Sequence, residues 1–359
     1  MTRLQKPATR PRRVLLAAIA AGLVTALLGA AAIPRPPSLS ADVSGDDELI
    51  DTVHQLLADD PGVRDRLSVA VIDGGTVRTA HFGAMDATEY EIGSVTKTIT
   101  GSLLADAIER GEVRADTPLG DLLDLGTSPA ASITLDELAT HSSGLPRLPM
   151  SLGMIVSAIV SQYRASDPYG ATIAELEQSA RDTELGEREF VYSNFGFALL
   201  GQALAEAAGT DYATLAEERV LGPLGMAHSY VPTTPAGLRD DAPTGYSVAG
   251  RPADAWTLGA DAPAGSARST LADMIAYTIA QRDGAAPGSA ATEPMAPAGE
   301  SGEVGYAWLT TDGVTWHNGG TGGFTSWVGF DRESDRAVVV LNGTAATVDD
   351  LGFGLMATD

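Results

Sequence analysis

The chain has 359 residues, 44% of them hydrophobic and none a cysteine. It can bury a sizeable core, but it can form no disulfide, thiolate metal site, thiol nucleophile or lipidated N-terminal cysteine. Residues 1–40 carry six basic residues and no acid, leaving 17 basic against 47 acidic residues in 41–359, a net of −30, which argues against nucleic-acid binding.

Arg3, Lys6, Arg10, Arg12 and Arg13 precede an uncharged run, Val14 to Ile33. At ~1.5 Å per residue a helix of that length crosses a bilayer core. The flanking charge puts the N-terminus inside and the body outside. Ala30-Ala31-Ala32 is similar to a cleavage site, so residues 1–33 read as a signal peptide or an uncleaved anchor, the only membrane contact expected. Arg12-Arg13 before Val14-Leu15-Leu16 also has a faint twin-arginine look. A Pro-rich linker is expected over 34–45, and one folded domain over 46–359.

Within that domain, Leu49, Ile50, Val53, Leu56 and Leu57 predict a helix over Asp46–Asp60. Leu67–Ile72 and Val77–Phe82 read as a hairpin around Asp73-Gly74-Gly75. A long apolar helix is expected over Ser94–Arg110, closed by Gly111. Helices are also expected over Thr134–Thr140, Thr172–Arg181, Gly196–Ala208 and Tyr212–Val220, and one starting at Thr270. Strands return at Gly305–Thr310, Val314–His317, Ser326–Phe330 and Ala337–Leu341, before a last helix in 347–356. Strands at both ends and a helical middle predict an α/β (α+β) fold. Both chain ends (about 46–113 and 265–359) would build an antiparallel sheet flanked by helices, with a helical lobe (about 114–264) inserted.

Lys97 is the sole lysine after Lys6, beside 16 arginines in the body. An ammonium can give up its proton once desolvated, whereas a guanidinium cannot. Ser94 precedes it by one helical turn, so amine and hydroxyl share a face at the helix start. That pattern suits a nucleophile and its base. Tyr192-Ser193-Asn194 precedes the helix near Gly196 and offers a phenol and an amide. His317-Asn318-Gly319-Gly320-Thr321-Gly322-Gly323 ends a strand in a glycine-rich loop that a ligand can approach closely. No phosphate-binding or dinucleotide motif fits it.

Three motifs in this order, Ser94-Val95-Thr96-Lys97, Tyr192-Ser193-Asn194 and His317-Asn318-Gly319, resemble those of the penicillin-recognising serine hydrolases. Tyr-x-Asn in second place is similar to the class C β-lactamase and DD-peptidase branch. His141-Ser142-Ser143-Gly144-Leu145-Pro146 and Leu221-Gly222-Pro223-Leu224-Gly225-Met226 also resemble turns of that branch.

The resemblance implies a β-lactamase/transpeptidase-like fold and an acyl-enzyme serine hydrolase, with D-alanyl-D-alanine carboxypeptidase-like activity first and a class C-type β-lactamase or an esterase as alternatives. By the same resemblance Ser94 is the nucleophile, Lys97 and Tyr192 share the proton work, and Asn194 orients the substrate amide. The amides of Ser94 and Gly320 form the oxyanion hole. His317, Asn318 and Gly319 bind substrate, with His317 in place of the third motif's cation. No metal or cofactor is implied. The expected partner is a small peptide, β-lactam or ester, including cell-wall peptide. The resemblance departs at His317-Asn318-Gly319, where relatives carry Lys-Thr-Gly or His-Thr-Gly.

Three rival readings are poorer. Gly245-Tyr246-Ser247-Val248-Ala249 is only a partial Gly-x-Ser-x-Gly. His54, His81, His141, His228 and His317 show no metal-ligand spacing, and His141 and His228 read as structural turn residues. An idle surface-binding module on the same scaffold would have no need of all three polar clusters.

Overall fold

The computed structural model describes residues 37–58, 62–149 and 152–358. The signal-or-anchor segment lies outside these residues, as does the start of the linker. The linker's end is more ordered than expected. Once the prolines stop, Val43–Gly45 lays free amides along the sheet edge as strand β1.

Helix α1 (Asp47–Leu57) follows, with the Asp46 carboxylate accepting the Leu49 amide as its N-cap. The hairpin is β2 (Leu67–Asp73) and β3 (Thr76–Phe82). Short β4 (Glu89–Glu91) leads into a single 3₁₀ turn, Gly93–Val95, and then into α2 (Thr96–Glu109). Helices α3 (Leu135–Ala139), α4 (Leu152–Arg164), α5 (Ile173–Asp182), α6 (Asn194–Ala208) and α7 (Tyr212–Ala216) make the lobe. Thr134 and Thr172 close capping boxes with Glu137 and Glu175. Strand β5 (Arg268–Thr270) pairs with β4, and α8 (Leu271–Arg282) follows. The end of the chain supplies β6 (Ala296–Pro297), β7 (Glu303–Val304), β8 (Leu309–Thr311), β9 (Val314–Gly320), β10 (Thr325–Asp331), β11 (Arg336–Asn342) and α9 (Asp349–Ala357).

The main sheet runs β1-β3-β2-β11-β10-β9-β8-β7-β6, with every neighbouring pair antiparallel. Strand β11, from the end of the chain, pairs directly with β2 from its start. Both faces of the central strands are covered, so β2 reads as a continuous apolar run rather than an alternation. Val69 and Val71 pack with α1 and α9 on one side, while Ala70 and Ile72 join the larger core on the other. Helix α2 is buried on all sides from Thr96 to Ala107, between this sheet and the lobe.

Two local expectations differ. Residues 305–308 form a turn, not the start of a strand. Gly305 N–H donates to the Trp308 carbonyl and Ala307 takes a left-handed φ of 72°. Helix α4 was not foreseen. Its sequence, Leu-Gly-Met-Ile-Val-Ser-Ala-Ile-Val, is β-branched enough to hide a helical period.

Candidate active site

Buried charge sets the approach to Ser94. Arg268 is fully buried, ion-pairs with Glu89, and donates to Glu91 at 2.7 Å, which ties β5 to β4. Burial pushes the Glu91 carboxyl upward, and the Arg268 guanidinium opposes that shift. Past Glu91, the Ile92 amide donates to the Ala267 carbonyl, and Gly93 takes φ +50° to start the 3₁₀ turn. Of residues 91–100 only Ser94 is appreciably exposed, and it sits in this turn rather than in α2 itself.

Strand β9 runs hard against the turn. A Cβ on Gly319 would overlap the Ile92 carbonyl oxygen, and one on Gly93 would stand 2.5 Å from the Gly320 nitrogen. The Ser326 hydroxyl, from β10, donates to that Ile92 carbonyl at 2.7 Å. Glycine at 93 and 319 therefore brings the Gly320 amide beside the Ser94 turn.

Lys97 is fully buried. Its Nζ lies 3.0 Å from Ser94 Oγ and donates to the Ala264 carbonyl at 2.6 Å. The amine stands 5.0 Å from the Tyr192 ring centre and 5.9 Å from that of Phe197. Burial, with the Arg147 charge adding to it, drives its pKa well below the usual lysine range. A neutral amine has two N–H groups and one lone pair. One N–H serves Ala264, and the lone pair can receive the Ser94 proton. Burial pushes the Tyr192 phenol up to about 12, with Ser94 hydrogen bonding in the opposite sense, so the phenol keeps its proton beside the serine.

His141 holds the Tyr192 segment. Its backbone has φ +58°, its Nδ1 accepts the Ser193 amide at 3.0 Å, and its ring centre is 4.5 Å from that of Tyr192. Burial keeps the imidazole neutral. Ser193 caps α6 by accepting the Gly196 amide, and Asn194 Nδ2 donates to the Tyr169 hydroxyl at 2.9 Å. Asn194 Oδ1 is buried without a protein partner.

Two expectations for β9 need correction. His317 is 1% exposed, and burial lowers its pKa far below the usual imidazole range. Burial thus favours the neutral ring, against the expectation that it replaces the third motif's lysine as a cation. Asn318 faces away from the site: its amide donates to Asp349 of α9 at 2.9 Å. The reason is the two-residue period of a strand, which sends 317 and 319 to one face and 318 to the other. The hydroxyl of Thr321 accepts the Phe324 amide and holds its own loop.

Ser94, Lys97, Tyr192, Asn194, His317, Gly319 and Gly320 thus converge, while the Asn318 side chain does not. His141 is the structural turn residue its sequence context predicts, whereas Arg147, Tyr169 and Asp261 along the wall carried no readable motif. Arg147 stacks its guanidinium 5.0 Å from the Tyr192 ring and pairs with no carboxylate among the described residues. Ser247 belongs to a tight turn closed by its own carbonyl and the Gly250 amide, which is not a strand-to-helix nucleophile turn.

The Beta-lactamase family model matches residues 52–351, and the chain belongs to that family of serine hydrolases. Among curated relatives, a beta-lactamase of Pseudomonas fluorescens is 28% identical over 261 residues, covering 69% of this chain and 67% of that protein. The D-alanyl-D-alanine-carboxypeptidase/endopeptidase AmpH of Escherichia coli K12 is 33% identical over 147 residues, 40% of this chain and 37% of its own length. A class C beta-lactamase from Rhodobacter sphaeroides superposes with a TM-score of 0.73 at 20% identity, covering 87% of this chain and 99% of that one. D-alanine carboxypeptidase AmpC from Burkholderia cenocepacia gives 0.70 at 22%, covering 86% and 99%. These superpositions establish the fold.

Proposed function

We propose that the protein is an exported serine hydrolase that transfers an acyl group to Ser94 and then to water. One observation carries the reading: the fully buried Lys97 amine, whose burial favours its neutral form, lies 3.0 Å from the Ser94 hydroxyl. In the forward step Lys97 takes the serine proton as Oγ bonds to the acyl carbon. The Ser94 and Gly320 amides face the developing oxyanion. Tyr192, which keeps its proton, passes it to the leaving group and is reprotonated from Lys97. Asn194 receives the acyl side-chain amide through its unpartnered Oδ1.

Peptide-like amides are the first substrate class, with D-alanyl-D-alanine carboxypeptidase chemistry first among them, as in the relative AmpH and the structural neighbour AmpC. A second reading, an esterase, is favoured by one feature: the neutral His317 leaves β9 without a cation to hold a leaving-group carboxylate. Export rests on the charge step around Val14–Ile33. No described helix is long and apolar enough to cross a membrane.

The test is to incubate the full chain with a labelled penicillin, a D-Ala-D-Ala peptide and a nitrophenyl ester, and to map adducts by mass. A single adduct on the Ser94 peptide with release of D-alanine supports the first reading. Ester turnover without D-alanine release supports the second. An adduct on Ser142 or Ser247, or no turnover of any substrate, overturns both, the latter leaving an idle binding module.

A further inference from the structure

A cavity of about 1170 Å³ opens in the helical lobe next to the catalytic cluster. Tyr169 and Val191 belong to its wall. The first accepts the Asn194 amide and the second precedes Tyr192 in the chain, so this wall adjoins the acyl side of the site. The charge on its lining has one sign. Glu175, Asp182, Glu184, Glu187, Glu189 and Asp261 contribute carboxylates, and among the described residues no basic side chain contributes.

Carboxylates at a rim are often no more than a solvated surface, and several of these are. Glu175 is committed to the Thr172 cap and Asp182 accepts from Gln178. Glu184, Glu187 and Glu189 are exposed. Asp261 is different. It is 1% exposed, and its Oδ1 has no hydrogen-bond partner. Its neighbour Asp167 accepts three backbone amides, from Tyr169, Thr257 and Leu258, and so holds the wall together. Asp261 has no such employment. A buried carboxylate left without a donor is costly, and a protein keeps one where a ligand supplies the missing partner.

We propose that this cavity receives a positively charged group carried on the acyl portion of the substrate, with Asp261 as its counter-ion and the exposed glutamates attracting it to the mouth. The inference rests on the serine acyl-transfer reading above, and it adds the substrate's charge. Arg147, whose guanidinium stands 5.0 Å from the Tyr192 ring, puts a fixed positive charge on the other side of Tyr192. A cationic acyl end is thus repelled by Arg147 and attracted to the acidic lobe, while the scissile carbonyl stays at Ser94. Burial and the Asp167 charge push the Asp261 carboxyl up to about 7. Its attraction for a cation is therefore full above that pH and fades below it.

The probe is a pair of nitrophenyl esters that differ only at the far end of the acyl chain, trimethylammonium in one and its neutral isostere, tert-butyl, in the other. The charge on the first does not titrate. The full-length protein is expected to favour the cationic ester by at least about tenfold in kcat/KM at pH 8. That preference should shrink as pH falls through about 7. Asp261→Asn should reduce the ratio by about tenfold, and a ratio cancels any general loss of activity. If Asp261→Asn does not fold, the pH dependence of the wild-type ratio decides alone. A ratio near one, or a preference unchanged in Asp261→Asn or across pH 6 to 8, overturns the cation site while leaving the serine mechanism in place. Calorimetry with the matching carboxamides needs no acylation. If neither ester labels Ser94, the serine reading fails, and tighter binding of the cationic amide still decides the cavity's preference.

Discussion

Lys97 offers the sharpest test of the catalytic geometry, because two substitutions separate its charge from its basicity. Lys97→Arg keeps a cation of similar reach but cannot accept a proton at neutral pH. Lys97→Met keeps the buried volume and removes both charge and lone pair. In the wild type the amine touches Ser94 Oγ at 3.0 Å and the Ala264 carbonyl at 2.6 Å, and no other base approaches the serine as closely among the described residues. Loss of a positioned general base costs about 10²–10⁴ in rate, or about 3–5 kcal/mol of barrier. Both variants should fall by that amount in the acylation step. Stopped-flow acylation by an activated ester, with intact mass to count adducts and circular dichroism to check folding, reads it directly. A folded Lys97→Arg that acylates within a few-fold of wild type would show that charge alone suffices and would refute the base assignment. Stability should move the other way. The folded chain holds Lys97 with a depressed pKa, so below about 10.4 the unfolded chain binds the extra proton and the lysine destabilises the fold. That penalty eases as pH rises toward the unfolded value. Lys97→Met removes it, and the melting midpoint at neutral pH should rise by about 2 °C or more.

Three further outcomes follow from the packing. The His317 imidazole should show no titration by NMR between about pH 5 and 8, and KM should stay flat there for substrates of constant charge; a midpoint near 6.5 would restore the cationic role. Gly319→Ala places a methyl group into the Ile92 carbonyl, so urea unfolding should report a loss of about 2 kcal/mol or more, with acylation impaired in whatever folds. Arg268→Met leaves the buried Glu91 without its cation and should cost about 3–5 kcal/mol at neutral pH, recovering in part as acid neutralises that carboxylate; a cost under about 1 kcal/mol would contradict a buried ion pair.

Much of the architecture was legible because periodicity and caps agree. Thr134, Thr172 and Thr270 each announce a helix that follows them, and Asp73-Gly74-Gly75 announces a hairpin. Ser94 and Lys97 were legible for the same local reason, since one helical turn fixes their distance. What failed was non-local. Whether His317 carries charge depends on burial by segments far away in sequence, and the facing of Asn318 depends on which side of β9 the helix α9 covers. The wall residues Arg147 and Tyr169 sit in loops, and Asp261 in a short 3₁₀ helix, too brief to show a period. Their meaning comes only from the neighbours that the fold assigns to them.

The pairing of β2 with β11 fixes when during its life the protein can become active. The nucleophile is made early and the Gly320 amide late, and β10, β11 and α9 are translated later still. Until those last segments arrive, the first hairpin has no inner neighbour and Gly319 cannot press against Ile92. A ribosome-bound or prematurely terminated chain thus carries Ser94 and Lys97 without the surface that would make them reactive. Long-range pairings of this kind form slowly. If Ser94 is the nucleophile proposed above, such a delay would keep it silent through synthesis.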